Sequence, residues 1–366
     1  MMYRAIPQIL AEDIARGNCV LFVGAGLSMA YGLPGWRDLI KQLCENLGVG
    51  EDTDPLRVAQ VYEYREGRQR LNAHIISRTQ TSSINPKDLQ LHIKLANLGV
   101  TIWITTNYDD LIEKAFDCEE VKKCIGKICK PVIRDEDISY LPQNAVILIK
   151  LHGDNKQPST LTVTKNDYFT YPQRFPLITQ KVADLLTGKT FLFIGYSLQD
   201  PDFSQLQAKI AYHLEKHARK AYAVLDDIDN FNWDDLASRN IHIIKLSEWG
   251  NDDRSLRLQR FLTDLENEVN LYKSVPKQEY TIDEAKNIIP ENILGKKKEE
   301  GFVLAKCVEY LVHCRLVDEA QHHWLPHGWI PYESLNIPEG FQTEEYSRMD
   351  DQKNIWLVIT IWQKEK

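Results

Sequence analysis

The chain has 366 residues, with 44 Lys and Arg against 52 Asp and Glu, a formal net charge of −8, and its hydrophobic fraction of 43% is ordinary for a globular protein. These values exclude a disordered chain, a collagen and a disulfide scaffold, and the length allows two or so domains of about 150 residues each. An acidic chain whose largest basic cluster is Lys296–Lys298 is a poor general nucleic-acid binder, so we expect no direct nucleic-acid contact.

Neither a membrane span nor a secretion signal is predicted. No apolar run approaches the roughly 18–20 residues that cross a bilayer. Residues 1–17 carry acidic side chains among apolar ones, unlike a signal peptide. The seven cysteines are an odd number without the spacing of a disulfide framework. We therefore expect a reduced, cytoplasmic protein.

Short apolar runs rich in Val, Ile and Phe alternate with helical patterns in the first two thirds of the chain. Runs without polar alternation are typical of strands buried on both faces of a sheet. The predicted strands are Cys19–Gly24, Val100–Asn107, Val146–Gly153, Thr190–Ser197, Ala221–Asp227 and Ile241–Ser247. The predicted helices, where apolar residues recur at helical spacing, include Trp36–Leu47, Phe203–Leu214 and Arg254–Tyr272. This alternation indicates an α/β fold with a Rossmann-like parallel sheet.

A charged helical stretch, Arg57–Arg78, lies between the first two predicted strands. We interpret it as a helical insertion of about residues 50–95 that forms a subdomain or lid. An ordinary crossover helix fits the pattern nearly as well.

The composition changes after Tyr272. Residues 281–366 carry 10 Lys and Arg against 15 Asp and Glu, and they hold four of the eight tryptophans, Trp324, Trp329, Trp356 and Trp362. A boundary within Ser274–Tyr280 would separate a domain of residues 1–273 from a small C-terminal α+β segment, 281–366. Within this segment we predict a helix over Glu299–Ala320 and a terminal strand over Asn354–Trp362.

The first predicted strand ends in a glycine loop, Gly24–Ser28. Glycines here permit a tight turn and let a pyrophosphate approach the backbone. A structural turn explains two such glycines equally well, so this loop alone is a weak signal.

The residues that follow extend the pattern. Residues 24–37, GAGLSMAYGLPGWR, resemble the sirtuin signature GAGxS followed by GIPDFR. Three further elements come in the sirtuin order, each at the end of a predicted strand. Residues 105–109, TTNYD, resemble TQNxD; His152-Gly153 resembles the catalytic HG; and residues 195–198, GYSL, resemble GTSL. The resemblance covers roughly residues 15–247 and implies a sirtuin-like domain that binds NAD+ at the carboxyl ends of its strands.

The sequence also departs from the sirtuin pattern. Asp154–Lys189 contains no cysteine, so the four-cysteine zinc module of sirtuin deacylases is absent there and we expect no zinc. Gly35, Trp36 and Thr106 replace the Asp, Phe and Gln of the family. Because the zinc lobe helps to form the acyl-peptide cleft, its loss argues against protein deacylation. The pattern is closer to bacterial sirtuin-like NAD+ hydrolases of anti-phage defence, in which a GYSxxD element recurs, as in Gly195–Asp200.

That resemblance implies an NAD+ hydrolase that releases nicotinamide and ADP-ribose and depletes NAD+ in antiviral defence. An NAD-dependent deacylase or ADP-ribosyltransferase would use the same residues, and a non-catalytic nucleotide-binding assembly module is a further alternative. An NAD+ hydrolase must be gated, and the resemblance implies gating by a homo-oligomer or by a partner such as a HerA-type ATPase or a short Argonaute. The acidic, tryptophan-rich segment 281–366 is the candidate contact, although a packed appendage would also concentrate tryptophans.

The resemblance assigns three catalytic residues, and each has a structural alternative. His152 can accept a proton from a ribose hydroxyl or a water near neutral pH, or it is a packed histidine. Asn107 has an amide suited to hold a water and a ribose hydroxyl, and it could also cap a helix over Asp109–Phe116. Asp109 matches the family aspartate that contacts the nicotinamide amide, or it places charge in a first helical turn.

The resemblance also assigns the NAD+-binding positions. These are Gly24, Ala25, Gly26 and Ser28 at the phosphates, Arg37 at a phosphate or the ribose, and Gly195 and Ser197 at the adenosine half. Arg37 is almost equally well explained as a helix-surface arginine. Asp200, followed by Pro201, also fits a helix N-cap.

Other cysteines and histidines are better explained by packing than by metal binding. Cys118, Cys124 and Cys129 contain no CxxC pair. Cys307 and Cys314 are interpreted as packed on one face of the predicted tail helix. The tail histidines His313, His322, His323 and His327 invite a metal interpretation, but we place His322 and His323 in a loop beside Trp324 and favour packing over metal binding.

Overall fold

The computed structural model describes residues 6–142, 144–198, 221–226, 229–273, 277–313, 342–349 and 355–364. The chain divides into two compact units, Met1–Tyr272 and Lys273–Lys366. Each unit has its own sheet and its own apolar core.

The first unit is built on a seven-stranded sheet in which every pairing is parallel. Its strands are β1 Cys19–Val23, β2 Ile102–Thr105, β3 Ile128–Val132, β4 Ala145–Lys150, β5 Thr190–Ile194, β6 Ala221–Leu225 and β7 Ile241–Lys245. The six strands predicted from apolar runs are all present, and β3 was missed. The fold class predicted from the sequence is therefore confirmed.

The strand order of this sheet is β3-β4-β2-β1-β5-β6-β7. The chain moves from β1 toward β2 and β4 on one side, and later adds β5, β6 and β7 on the other. Strand order therefore reverses between β1 and β5. In open parallel sheets, ligands bind in the crevice outside the carboxyl ends of the strands at such a switch point.

The helices of the first unit agree closely with the periodic pattern of the sequence. They are α1 Gln8–Ala15, α2 Ala25–Ser28, α3 Trp36–Leu47, α4 Pro55–Glu66, α5 Arg68–Arg78, α6 Gln90–Asn97, α7 Leu111–Asp117, α8 Glu119–Ile125, α9 Lys165–Arg174, α10 Pro176–Gly188, α11 Asn230–Ser238 and α12 Arg254–Lys273. The predicted helix Trp36–Leu47 has these bounds, and the predicted Phe203–Leu214 helix lies outside the described residues. No helix in the described ranges is both long and apolar enough to span a membrane.

Apolar residues cover both faces of the sheet. Leu21 and Val23 of β1 pack with α1, α6, α7 and α12, whereas Val20 and Phe22 pack with α10 and β5 on the opposite face. All five residues of β1 are buried, as their uninterrupted apolar run predicts. Helices on both faces bury nearly all residues of the central strands.

Helices α3, α4, α5 and α9 form a separate helical layer with its own core. Leu43, Val58 and Leu71 are buried there, together with Tyr108 from the loop after β2 and Leu161 from the loop after β4. Arg68 at the start of α5 donates to the Leu161 carbonyl at 2.6 Å. The layer is thus packed against loops that leave the carboxyl ends of β2 and β4.

The second unit is a four-stranded antiparallel sheet of order β10-β11-β9-β8, with two helices. Its elements are β8 Lys277–Tyr280, α13 Ile282–Ile288, α14 Glu291–Glu299, β9 Phe302–His313, β10 Gln342–Met349 and β11 Ile355–Lys364. The predicted terminal strand corresponds to β11. The helix predicted over Glu299–Ala320 is wrong, because Phe302–His313 is a strand and the residues after it lie outside the described ranges.

A bulge in β9 explains that error. Lys306 pairs with Ile361 and Leu304 pairs with Trp362, so Ala305 is an extra residue with no partner of its own. The bulge places the buried residues Leu304 and Cys307 three positions apart, which is a helical spacing. The assignment of Cys307 to a helix face is therefore also wrong, although its side chain is buried.

The tryptophans of the C-terminal segment differ in what the structure shows. Trp362 is buried in the core of the second unit, with Ala285, Cys307 and Val358. Its indole Nε1 donates to Thr360 Oγ1 at 2.8 Å. Trp324, Trp329 and the side chain of Trp356 lie outside the described residues. Trp362 therefore contributes to internal packing.

Candidate active site

The glycine loop after β1 lies in contact with the loop after β5. The Gly24 amide donates to the Ile194 carbonyl at 3.0 Å, and the Gly26 amide donates to the Gly195 carbonyl at 2.8 Å. A Cβ on Gly24 would lie 2.5 Å from the Gly195 oxygen, and one on Gly195, whose φ is +66°, would lie 2.5 Å from the Leu27 nitrogen. The glycines therefore allow the two loops to interlock at the switch point of the sheet.

Ala25 and Ser28, in the same loop, differ in their hydrogen bonding. The Ala25 amide, at the first position of α2, makes no hydrogen bond within the part of the chain that the structure describes. Ser28 is 1% exposed, and its Oγ accepts a hydrogen bond from Asn107 Nδ2 at 3.0 Å. Ser28, predicted at the phosphates, thus contacts a predicted catalytic residue directly.

Asn107 is buried just after the end of β2, and hydrogen bonds hold both its backbone amide and its side-chain nitrogen. Its amide donates to Thr105 Oγ1 at 3.0 Å, and that hydroxyl donates to the Val23 carbonyl at 2.7 Å. Its side-chain nitrogen is fixed by Ser28. Its Oδ1 is buried and has no hydrogen-bond partner among the described residues. A buried acceptor without a partner is costly, so this atom fits a site that receives a water or a ligand hydroxyl.

Asp109 lies next to this amide and is also buried. Its Oδ1 accepts from the Leu111 amide at 3.1 Å, which places the carboxylate at the start of α7. Burial raises the pKa of Asp109, while the charge of Lys150 and a hydrogen bond from Ser28 oppose that rise. The helix-start role and a catalytic role of Asp109 are thus compatible.

Sequence reasoning missed a buried charged cluster beneath this site. Lys150, the last residue of β4, has a fully buried side chain. Its Nζ donates to the Asp109 carbonyl at 2.7 Å, to Glu113 Oε1 at 3.0 Å and to Asp154 Oδ2 at 2.6 Å. Burial alone would lower the pKa of Lys150, but the charges of Glu113 and Asp154 outweigh it and raise the pKa. The only signal in the sequence was a single lysine inside the apolar run 146–151, VILIKL.

His152 follows two residues after Lys150 and is half-buried between two tyrosine rings. Its Nδ1 lies 3.3 Å from Tyr168 Oη, and its ring centroid lies 4.9 Å from the Tyr168 ring and 6.3 Å from the Tyr108 ring. The His152 carbonyl accepts from the Thr162 amide at 3.0 Å. The packed-histidine alternative is therefore partly true, because the ring is fixed by aromatic neighbours.

The residue after His152 requires glycine. Gly153 has φ +85°, and a Cβ there would collide with the Thr160 carbonyl. The loops of Asn107 and His152 are also joined directly, because the Asn155 amide donates to the Tyr108 carbonyl at 3.0 Å. The structure thus brings Ser28, Asn107, Asp109 and the His152 loop together at the ends of β1, β2 and β4.

Arg37 and Ser197 are not part of this contact network. Both are exposed, and neither makes a polar contact with the other predicted site residues. Asp200 lies outside the described residues. The arginine that does reach the glycine loop is Arg254 at the start of α12, whose Nη1 lies 3.4 Å from the Gly26 carbonyl. Asp226 at the end of β6 holds that guanidinium at 2.8 Å.

No group of metal-binding side chains occurs among the described residues. Cys118 is buried, Cys124 is exposed on α8, and Cys129 is half-buried on β3. Burial raises the pKa of the Cys129 thiol above its ordinary value, which favours its protonated form.

The parallel sheet, its switch point and the buried Asn107–Ser28 contact define a Rossmann-like domain with a polar site at the carboxyl ends of its strands. Residues 101–244 match the family model described as a SIR2-like domain. The chain therefore carries a SIR2-like domain, and the sirtuin-like character predicted from the order of four motifs is confirmed.

Curated relatives match a larger share of the chain than the family model does. The chain is 30% identical over 269 residues to the protein named NAD(+) hydrolase ThsA of Acinetobacter baumannii, covering 68% of this chain and 54% of that protein. It is 31% identical over 240 residues to a ThsA of Cytobacillus dafuensis, covering 64% of this chain and 46% of that one. It is also 28% identical over 207 residues to Defense-associated sirtuin 2 of Bacillus subtilis, covering 54% of this chain and 20% of that protein. The chain spans about half the length of the ThsA relatives it matches.

Proposed function

We propose that the chain hydrolyses NAD+ to nicotinamide and ADP-ribose and acts as an NAD+-depleting effector of anti-phage defence. The names of the ThsA relatives and of Defense-associated sirtuin 2 support this proposal. The structural observation that carries it is the buried Asn107. Its Oδ1 is an unpartnered acceptor, its amide nitrogen is tied to the glycine loop, and its own loop is joined to that of His152.

The proposed chemistry is cleavage of the bond between ribose C1′ and the nicotinamide nitrogen. This bond breaks through a cation-like sugar transition state, and nicotinamide leaves as a neutral molecule that keeps the bonding electron pair. No acid is needed to expel it. A water oxygen forms the new bond to C1′ and releases one proton. The protein must therefore orient the sugar, hold the water and stabilise developing positive charge.

The site residues divide these tasks by chemical type. Asn107 Oδ1 accepts a hydrogen bond from the attacking water or from a ribose hydroxyl. The carboxylate of Asp109 contacts the nicotinamide amide and places negative charge beside the cation-like sugar. His152 accepts the proton that water releases, with its ring orientation set by Tyr168.

The diphosphate of NAD+ is assigned to the glycine loop. Gly24 and Gly26 contact Gly195, so the Ala25 amide is the donor of the loop that is left for a phosphate. The guanidinium of Arg254, beside the loop, is a second donor. An arginine held by a carboxylate is a pre-positioned phosphate donor. Arg37, Gly195 and Ser197 retain their proposed places at the ribose and the adenosine half.

The first experiment incubates the purified full chain with NAD+, with and without an acyl-lysine peptide, and measures nicotinamide release. We expect NAD+ loss without peptide. His152→Ala and Asn107→Ala should each abolish turnover while equilibrium NAD+ binding is largely retained. His242→Ala, which changes an exposed histidine on β7, is the matched control and should keep wild-type turnover.

The outcomes distinguish the alternatives. NAD+ loss only in the presence of peptide would indicate a deacylase, and ADP-ribose attached to protein would indicate an ADP-ribosyltransferase. An inactive wild-type chain that still binds NAD+ would contradict hydrolysis and support a nucleotide-binding assembly module.

We further propose that the reaction needs no structural zinc in the first unit. The support is the cysteine-free sequence from Asp154 to Lys189. Elemental analysis should find less than stoichiometric zinc. Stoichiometric zinc that is lost on changing Cys118, Cys124 or Cys129 would contradict this.

The second unit is proposed to mediate self-assembly or docking of a defence partner such as a HerA-type ATPase or a short Argonaute. The support is its acidic charge and its independent core. The test deletes the second unit and measures assembly, partner binding and NAD+ loss. The deletion should remove Lys273–Lys366, because cutting at residue 281 would leave β8 without its neighbour β9. We expect a soluble truncated protein with a smaller assembly size and altered NAD+ loss. A folded truncation with unchanged assembly, partner binding and activity would contradict the proposal.

A further inference from the structure

Lys150 is a buried charge at a place where packing alone would select an apolar residue. It is the last residue of β4, it lies between Ile149 and Leu151, and its side chain has no exposed surface. A buried charge is costly unless it is paired and hydrogen-bonded, and an apolar replacement of a whole buried ion cluster is often neutral or stabilising. The lysine therefore serves something other than stability.

The three contacts of the ammonium group belong to three different segments. The Asp109 carbonyl is in the loop after β2, Glu113 is on α7, and Asp154 is in the loop after β4. Asn107 is two residues before Asp109 in the first of these segments, and His152 is two residues before Asp154 in the last. One nitrogen atom therefore connects the two loops that carry the proposed reactive groups.

Directional bonding makes this connection specific. An ammonium has three N–H donors, and the three contacts of 2.6–3.0 Å use all of them. Two of the acceptors are carboxylates with little exposed surface, 5% for the Asp154 side chain and 17% for that of Glu113. Because these carboxylates need the cation, the two loops cannot separate without exposing unpaired buried charge.

We propose that Lys150 is a positioning residue that fixes the separation of Asn107 and His152 by tying the Asp109 carbonyl to the Asp154 carboxylate. This rests on the proposed NAD+ hydrolysis, in which both residues act on one sugar carbon. Lys150 itself touches no substrate. A displacement of about 1 Å between reacting groups costs up to about 100-fold in rate, so loss of the tie should lower kcat and leave NAD+ binding nearly intact.

The test compares Lys150→Met with Lys114→Met. Lys114 is on α7, donates to Thr81 and pairs with Asp110 at 3.8 Å, but it contacts neither Asp109 nor Asp154. We expect Lys150→Met to lower kcat about 10- to 100-fold with KM for NAD+ changed less than about twofold. Lys114→Met should keep kcat near the wild-type value. Unchanged kcat in folded Lys150→Met would overturn the proposal.

A second comparison separates positioning from stability. Lys150→Met leaves two carboxylates unpaired, whereas the triple variant Lys150→Met, Glu113→Gln, Asp154→Asn removes all charge from the cluster. Positioning predicts that the triple variant regains stability but keeps a low kcat. Recovery of kcat together with stability would show that Lys150 acts only through folding.

Hydrogen exchange of the ligand-free full chain provides a measurement independent of activity. Amides of residues 106–110 and 151–157 should exchange faster together in Lys150→Met and, to a smaller extent, in the conservative Asp154→Asn, but not in Lys114→Met. Unchanged exchange in both loops of Asp154→Asn, with unchanged kcat, would contradict the tie even if Lys150→Met fails to fold. If the wild-type chain does not consume NAD+, the proposed function fails, and the exchange result alone decides whether Lys150 joins the loops.

Discussion

Ser28 and Asn107 are 79 residues apart in the chain, and the Asn107 amide nitrogen donates to Ser28 Oγ at 3.0 Å. This bond joins the loop after β1, which we assign to the diphosphate, to the loop after β2, which we assign to the sugar. It orients the amide so that nitrogen faces Ser28 and oxygen is the remaining acceptor. In the proposed NAD+ site, the positions of the diphosphate and of the sugar would both depend on the orientation of this one side chain.

Ser28→Ala should reduce turnover rather than binding. The substitution removes both the acceptor of the Asn107 amide and the hydroxyl that donates to Asp109, and the loss of two hydrogen bonds of about 1 kcal/mol each corresponds to roughly a 10- to 30-fold lower kcat. Steady-state kinetics with NAD+ measure this, with the exposed Ser238→Ala as the matched control. An increase in KM with unchanged kcat would instead assign Ser28 to ground-state phosphate binding.

Asp109 should contribute to the acid limb of NAD+ turnover. Burial raises its pKa, and the carboxylate is ionised only above that pKa. Activity is therefore present at higher pH and is lost as pH falls through a value above the ordinary aspartate pKa of about 3.9. A pH profile of kcat, with folding monitored by circular dichroism, measures the limb. In Asp109→Asn a low kcat with an altered acid limb is expected, while the exposed Asp38→Asn keeps the wild-type profile. An acid limb that is unchanged in Asp109→Asn would belong to another group.

His92 should make the first unit less stable in mild acid. It is fully buried on α6 beside the Tyr31 ring, and burial lowers its pKa to about 3. The unfolded chain binds a proton below about pH 6.5, whereas the folded chain does not, so stability is complete above pH 6.5 and falls as pH decreases toward 3. At pH 5 the loss is about 2 kcal/mol relative to pH 7.5.

Urea unfolding at pH 7.5 and pH 5 measures this loss. His92→Leu should unfold with about 2 kcal/mol less dependence on pH than the wild type. The exposed His242→Gln is the control and should keep the wild-type dependence. Equal pH dependence of His92→Leu and wild type would show that His92 is charged or partnered in the folded state.

Gly195→Ala should destabilise the first unit strongly. The residue has φ +66°, and a Cβ would lie 2.5 Å from the Leu27 nitrogen, so both backbone strain and a collision result. We expect a loss of about 2–4 kcal/mol in the free energy of unfolding. Gly188→Ala, where a Cβ would meet nothing within 4 Å, should change stability by less than about 1 kcal/mol. Similar unfolding midpoints for the two variants would contradict the close contact of the loops.

The central sheet could be predicted because its strands are buried on both faces. Such strands appear as uninterrupted apolar runs, and Cys19–Val23 is buried at every position. Ile128–Val132 escaped the same test because it is an edge strand with partly exposed residues and contains Lys130 and Pro131. In β9 the bulge at Ala305 has the opposite effect. It gives the buried residues of a strand a three-residue spacing that is typical of a helix.

The site was predictable only where motif order carried the information. The order of four elements pointed to Asn107, Asp109 and His152 as candidates, and parallel strands place their carboxyl ends at one edge. Lys150, Tyr168 and Arg254 were missed because their roles depend on contacts between segments far apart in the chain. Spacing along a sequence does not report such contacts.

The interlocked glycines restrict how these two loops can diverge. Gly24 and Gly26 lie against Gly195, so a side chain at any of the three positions requires the opposite loop to take a different course. A side chain added to one loop alone collides with the other loop, so the two loops can be exchanged only as a pair. If residues 24–28 were transferred by themselves into another parallel sheet, they would lack the loop after β5 against which they pack. The loops after β1 and β5, although some 170 positions apart, therefore form one structural unit.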